Sequence, residues 1–281
     1  MADEMDISDI KNMENLAGSP FTTETGLADA VPWLPILMYH RVVDHLEGSN
    51  HYNLSISLDR FEMQLRYLAD KAYRGLTVDE LAGMLDAGVK MPGRSVVITF
   101  DDGYEDTFTH AFPILQKYGF TATVFLVSGH IGESSSWDVG KTDASPLMER
   151  SQILEMARHG IDFGSHSRTH TSLPALTRDE ARNEIAQSKT EIEQLMGRNI
   201  SSFAYPFGGV TPWLQEIVRD AGYSAACGID QRSHHRFNLS RVDAAAHTGA
   251  VQWRLNVTGT KHRLRRSPLI RRLKSALTAI G

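Results

Sequence analysis

The chain has 281 residues, 41% of them hydrophobic and 22% charged, with a formal net charge of −5. This balance describes a globular chain long enough for one large core, and no apolar run approaches the roughly 18 residues that a membrane span requires. A single cysteine, Cys227, excludes an intrachain disulfide and permits a reducing compartment.

Residues 1–30 carry seven acids against one Lys11 and hold no apolar block, so they read as a flexible acidic arm without a secretory signal pattern, which favours the cytoplasm. From residue 31 to 258, short apolar runs alternate with amphipathic segments. Strands are expected at 35–40 (PILMYH), 95–100 (SVVITF), 122–128, 161–166, 200–206, 223–229 and 239–244 (LSRVDA). Helices are expected at 58–71, 77–87, 106–118, 151–159, 177–196 and 212–221, with Gly119, Gly160, Gly197 and Gly222 at their stops. SVVITF is almost continuously apolar, as a strand covered on both faces by helices must be. The alternation predicts one barrel-like α/β domain. Its longest polar connection, 137–148, is the segment expected to touch a ligand.

The chain's far end reverses the charge. Seven basic residues and no acid lie between Lys261 and Lys274, leaving 22 basic residues against 34 acidic ones elsewhere. Leu269, Ile270, Leu273, Leu277 and Ile280 recur at helical spacing, so residues 259–281 read as a basic, amphipathic tail. Peripheral contact with a membrane surface and docking on the chain's own acidic body are equally open for it. Nucleic acid is disfavoured, because the acidic body would repel phosphate.

Two stretches carry chemistry. Asp101 and Asp102 stand side by side where SVVITF ends and Gly103 begins. Asp-Gly is an ordinary turn signal, but the carboxyl end of a buried parallel strand is also where α/β folds place ligands. In GSHSRTH, His166 and His170 are four residues apart at the end of another expected strand. One acid and two imidazoles supply the three protein ligands of a catalytic metal site.

TFDDGY (Thr99–Tyr104) together with SHSRTH (Ser165–His170) resembles the polysaccharide deacetylases of the NodB-homology domain, carbohydrate esterase family 4. The resemblance implies a distorted (β/α) barrel in a single domain. It also implies a divalent metal ion, usually zinc, and hydrolysis of N-acetyl groups from an amino-sugar glycan or glycan precursor. Asp102, His166 and His170 then match the metal ligands and Asp101 the catalytic base. FAYPFG (Phe203–Gly208) resembles a third motif, in which the backbone N–H of the residue at Phe207 faces the oxyanion. Ala204 stands near where many relatives carry an arginine that pairs with the base, and Arg241 is the substitute expected here. LPILMYH resembles the branch in which the catalytic-histidine motif opens the domain. His40 is therefore the expected acid, with His247 in reserve. Tyr104, Trp137 and Trp213 are candidates for stacking on sugar rings. A different amidohydrolase acting on cyclic ureides and a noncatalytic glycan-binding protein are the alternative functions.

Overall fold

The computed structural model describes residues 34–46, 54–138, 144–229, 233–244 and 249–260. The acidic arm, His247 and the basic tail from residue 261 onward lie outside the described residues, as does the middle of the 137–148 connection. The first half of the domain runs β1 (Ile36–Tyr39), β2 (Arg41–Val43), β3 (Ser55–Ser57), α1 (Leu58–Asp70), β4 (Arg74–Leu76), α2 (Val78–Asp86), β5 (Ser95–Phe100), α3 (Phe112–Tyr118) and β6 (Thr123–Leu126). The second half runs α4 (Arg150–Arg158), β7 (Asp162–Ser165), α5 (Arg178–Met196), β8 (Ser202–Ala204), α6 (Pro212–Asp220), β9 (Ala225–Cys227), β10 (His234–His235), β11 (Asn238–Leu239), β12 (Val242–Asp243) and α7 (Ala250–Val257). No helix among the described residues is long and apolar enough to cross a membrane.

Ten strands form one sheet in the order β10-β11-β9-β8-β7-β6-β5-β1-β12, with β4 added on β5. Every pair in it is parallel except β10–β11. β11 and β12 are two halves of one passage of chain: Leu239 pairs with Cys227 of β9, and Val242 with Leu37 of β1. That passage bridges the two ends of the sheet, which curls into the distorted barrel that the sequence predicts. The expected single strand 239–244 is therefore interrupted at Arg241, where the chain changes partners. The expected helix 106–118 also divides. Thr107–Ala111 widens into a π turn just ahead of Pro113, which has no N–H to continue the helical ladder. β2, β3, β4, β10 and α7 are too short or too irregular in pattern to be read from sequence.

Side chains alternate across each strand. Val96, Ile98 and Phe100 of β5, Val124 and Leu126 of β6, Phe163 of β7 and Phe203 of β8 belong to the outer core beneath the helices. Val97, Phe125, Ala204, Ala225, Cys227 and Leu239 fill the barrel interior, which Val78, Leu81 and Ala82 of α2 complete. Thr77 and Glu80 start α2 with a reciprocal capping box, and Thr177 and Glu180 do the same for α5. Gly119 and Gly197 end their helices in the left-handed conformation, where the sequence places helix stops.

The interior is narrow at β7. A Cβ on Gly164 would stand 2.7 Å from both Phe125 Cδ1 and the Ser202 carbonyl oxygen, and closer still to Ser202 Oγ. Gly164→Ala is expected to destabilise the fold by about 1–3 kcal/mol, since backbone cannot yield as a flexible side chain can. Urea denaturation measures this, and a wild-type midpoint would show the barrel to be looser than its geometry.

Candidate active site

The same alternation aims chemistry into the mouth of the barrel. On β5, Val97 and Thr99 point inward, so the next inward residue is Asp101. On β1 the inward series runs Ile36, Met38, His40. β1 and β5 are paired Tyr39 to Phe100, and Asp101 N–H donates to the Tyr39 carbonyl at 2.9 Å, so His40 and Asp101 arrive side by side. His40 Nε2 lies 3.9 Å from Asp101 Oδ2. On β7 the inward series ends at His166. Asp102 follows Asp101 with φ 72 and Gly103 with φ 78, a left-handed corner that asparagine, aspartate and glycine tolerate best. This corner turns the second carboxylate away from the first, which is how two adjacent acids come to have different neighbours.

Asp102, His166 and His170 are all buried, and one ligand-competent atom from each lies within 4.8 Å of the other two. Asp102 Oδ1 stands 3.1 Å from His170 Nε2 and 3.4 Å from His166 Nε2, without a hydrogen-bond donor. A buried carboxylate oxygen facing two imidazole nitrogens is the arrangement a divalent cation would satisfy. Burial pushes His166 down to about 4, so its imidazole is neutral and can act as a ligand. Its Nδ1 meets the Ala204 carbonyl at 2.9 Å, which aims Nε2 at the group. His170 is oriented by packing instead. Its ring is stacked by Trp137 at 4.5 Å and met edge-on by Phe207 at 4.6 Å.

Asp101 has a different environment. Burial alone would raise its carboxyl, but Arg241 outweighs that and holds it below the ordinary carboxylate range. Arg241 reaches both carboxylate oxygens, at 2.6 and 2.8 Å, and also donates to the Gly228 carbonyl and to Thr99 Oγ1. The arginine expected near residue 204 is thus supplied from residue 241, across the barrel. Phe207 takes φ 58 and is 55% exposed, with its ring beside His170. Tyr104, a candidate for sugar stacking, is instead buried in the core, because the chain on either side of it is tied down: Met148 N–H donates to the Gly103 carbonyl and Glu105 N–H to the Pro146 carbonyl. For the same reason Ser145, Leu147 and Met148, the end of the expected contact loop, are buried. Trp213 packs on the core with Arg178 over its ring.

The family described as Polysaccharide deacetylase matches residues 88–226. YxkH of Bacillus subtilis (strain 168), whose name places it among polysaccharide deacetylases, is 32% identical over 213 residues, covering 74% of this chain and 70% of its own length. The chain belongs to the polysaccharide deacetylase family. Poly-beta-1,6-N-acetyl-D-glucosamine N-deacetylases of Staphylococcus aureus are 27% identical over 184 residues, 64% of this chain, and the chain spans 63% of their length. Among solved structures, IcaB from Ammonifex degensii is similar with a TM-score of 0.67 and 25% identity, over 82% of this chain and 96% of that one. BC0361, a polysaccharide deacetylase from Bacillus cereus, is similar with a TM-score of 0.65 and 26% identity, over 80% of this chain and 68% of that one.

In this member of the polysaccharide deacetylase family two contributors to the site are not announced by their side-chain chemistry. The Ala204 carbonyl is backbone, so no side chain announces it. Asp106 accepts from Val42 N–H at 3.1 Å and from Arg41 Nε at 2.8 Å, tying the chain after His40 to the helix after Asp101. Its only sequence signal is an acid at the start of an apolar helix face. The Arg241–Asp101 pair generates a direct test of the deacetylase fold. Arg241→Ala leaves a carboxylate buried without its partner and is expected to cost about 3–5 kcal/mol of stability. Arg241→Lys keeps the charge but not the fork and should fall between the two. Denaturant unfolding reads both, and an alanine variant of wild-type stability would show that the pair does not hold the barrel mouth.

Proposed function

We propose that the chain is a divalent-metal-dependent N-deacetylase that releases acetate from N-acetylglucosamine units of a polysaccharide or its precursor. The observation that carries this reading is the division of labour between neighbours: Asp102 faces two histidines, while Asp101 faces Arg241 and His40. The named activity of the Staphylococcus aureus relatives supports the choice of sugar.

Asp102, His166 and His170 would hold the ion, with zinc favoured by a donor set of one carboxylate and two imidazoles. When bound, it supplies Lewis-acid polarisation of the acetyl carbonyl and makes water more acidic. Asp101 accepts the proton of the attacking water, and the Arg241 fork keeps its carboxylate anionic and in place. The Phe207 N–H is the donor for the oxyanion. His40 delivers a proton to the departing amine nitrogen. The exposed Phe207 ring offers an apolar face to the sugar.

Acetate release from an N-acetylglucosamine oligomer, measured with and without chelator, tests this reading. Chelation should abolish release and zinc should restore it. Asp102→Ala, His166→Ala and His170→Ala should each lose the metal, whereas Asp101→Asn should keep it and lose turnover on the order of 10²-fold or more. Oligomer that binds without releasing acetate, or a cyclic ureide hydrolysed in its place, would overturn the proposal.

The role of His40 has its own test. An amine is a poor leaving group until protonated, but an activated ester needs no such proton. His40→Ala should retain metal and slow amide cleavage far more than hydrolysis of an activated acetyl ester. Equal losses on both substrates would remove His40 from the mechanism.

A further inference from the structure

We infer that Glu184, on α5, is a positioning residue that fixes the backbone of the loop carrying His170 and thereby sets the affinity of the Asp102, His166 and His170 group for a divalent ion. This inference rests on reading that group as a metal site. His166 is the direct inward continuation of β7, and the Ala204 carbonyl fixes its ring through Nδ1 at 2.9 Å. His170 is held differently. It follows a loop in which Ser167 has φ 64, and it has φ 58 itself, so two residues with side chains occupy backbone conformations that L residues disfavour. Its Nδ1 makes no hydrogen bond, so apart from the packing of Trp137 and Phe207 the ring takes its position from the loop.

The loop is gripped from two sides. Its carbonyls face the chain after β6: Ser167 O accepts from Ser128 N–H at 3.3 Å and Arg168 O from Gly129 N–H at 2.9 Å. Its amides face α5. Glu184 Oε2 accepts from Arg168 N–H at 3.0 Å and from Thr169 N–H at 2.9 Å, and Glu184 Oε1 accepts from Thr169 Oγ1 at 2.9 Å. Three donors converge on one side chain, and a carboxylate has the acceptor sites to meet them all. Glu184 is the first residue of a stripe along α5. Ser188, one turn on, meets Ser165 Oγ at 2.6 Å, and Glu191, a further turn on, accepts from Arg168 Nε at 2.9 Å and from Ser128 Oγ at 2.6 Å. Of these three, Glu184 alone holds the loop's backbone, the part that decides where His170 begins.

Zinc affinity of the full chain, stripped with chelator and titrated against a chromophoric competitor, tests the inference without reference to activity. Glu184→Ala, a substitution that does not oppose the helix, is expected to weaken zinc binding about 10-fold or more. Glu184→Gln should recover most of it, because its carbonyl oxygen can take both amides while its NH₂ donates to Thr169 Oγ1. Thr169→Val deletes one contact from the loop's own side and should lose affinity in the same direction, by roughly threefold, so the inference stays testable if the alanine variant fails to fold. Glu191→Ala removes only a half-exposed ion pair and a hydroxyl contact and is expected to change affinity by less than about twofold. Wild-type affinity in Glu184→Ala, a loss in Glu184→Gln as large as in Glu184→Ala, or an equal loss in Glu191→Ala would overturn the role of Glu184 and leave the metal reading intact. A wild-type chain that binds no zinc or other divalent ion would overturn both.

Discussion

The buried pair between Arg241 and Asp101 is the interaction on which the mouth of the barrel depends. The two residues are 140 positions apart, and neither is exposed enough for water to replace its partner. Arg241 sits in the passage between β11 and β12 that bridges β9 and β1, so the ion pair that holds Asp101 also pins the segment that closes the sheet. Its other donors reach the Gly228 carbonyl, just beyond β9, and Thr99 on β5. One guanidinium therefore ties three parts of the barrel rim together, and stability and site geometry are coupled through it.

Around that pair the backbone is bent where the chemistry is. Asp102, Ser167, His170 and Phe207 all take positive φ without being glycine, and all four lie at the barrel mouth. Each such corner is disfavoured locally and persists because its surroundings leave no alternative. Asp102 turns between strand and helix, His170 is packed between Trp137 and Phe207, and Phe207 follows Pro206 in a tight turn. Among the described residues Ala72 and Arg94 also take positive φ, but these four cluster in the loops after β5, β7 and β8, where the site is. A rigid floor under bent loops lets carboxylate, imidazole and amide converge from separate stretches of chain.

Two imidazoles of the same motif are oriented by different physics. His166 is steered by a hydrogen bond from its remote nitrogen to a carbonyl, which depends on the register of β7 with β8. His170 is steered by ring packing, which depends on Trp137, from the connection after β6, and on Phe207, from the turn after β8. The group is thus assembled from neighbours on both sides of β7, and it inherits its precision from the sheet.

Much of this was legible in the sequence because it depends on residue type and local period. The nearly continuous apolar run of β5 signals a strand covered on both faces. The pairing of an acid doublet with two histidines four apart points to a metal-ligand set, and the fold does bring Asp102, His166 and His170 together. What only the tertiary structure decided is who meets whom. That the Ala204 carbonyl aims His166, that Tyr104 turns into the core although it adjoins the motif, and that one passage of chain splits into β11 and β12 are consequences of closing the barrel. Closure brings together groups whose separation along the chain carries no period. A hydrogen bond or ion pair between such groups depends on distance and direction in space, and local sequence specifies neither.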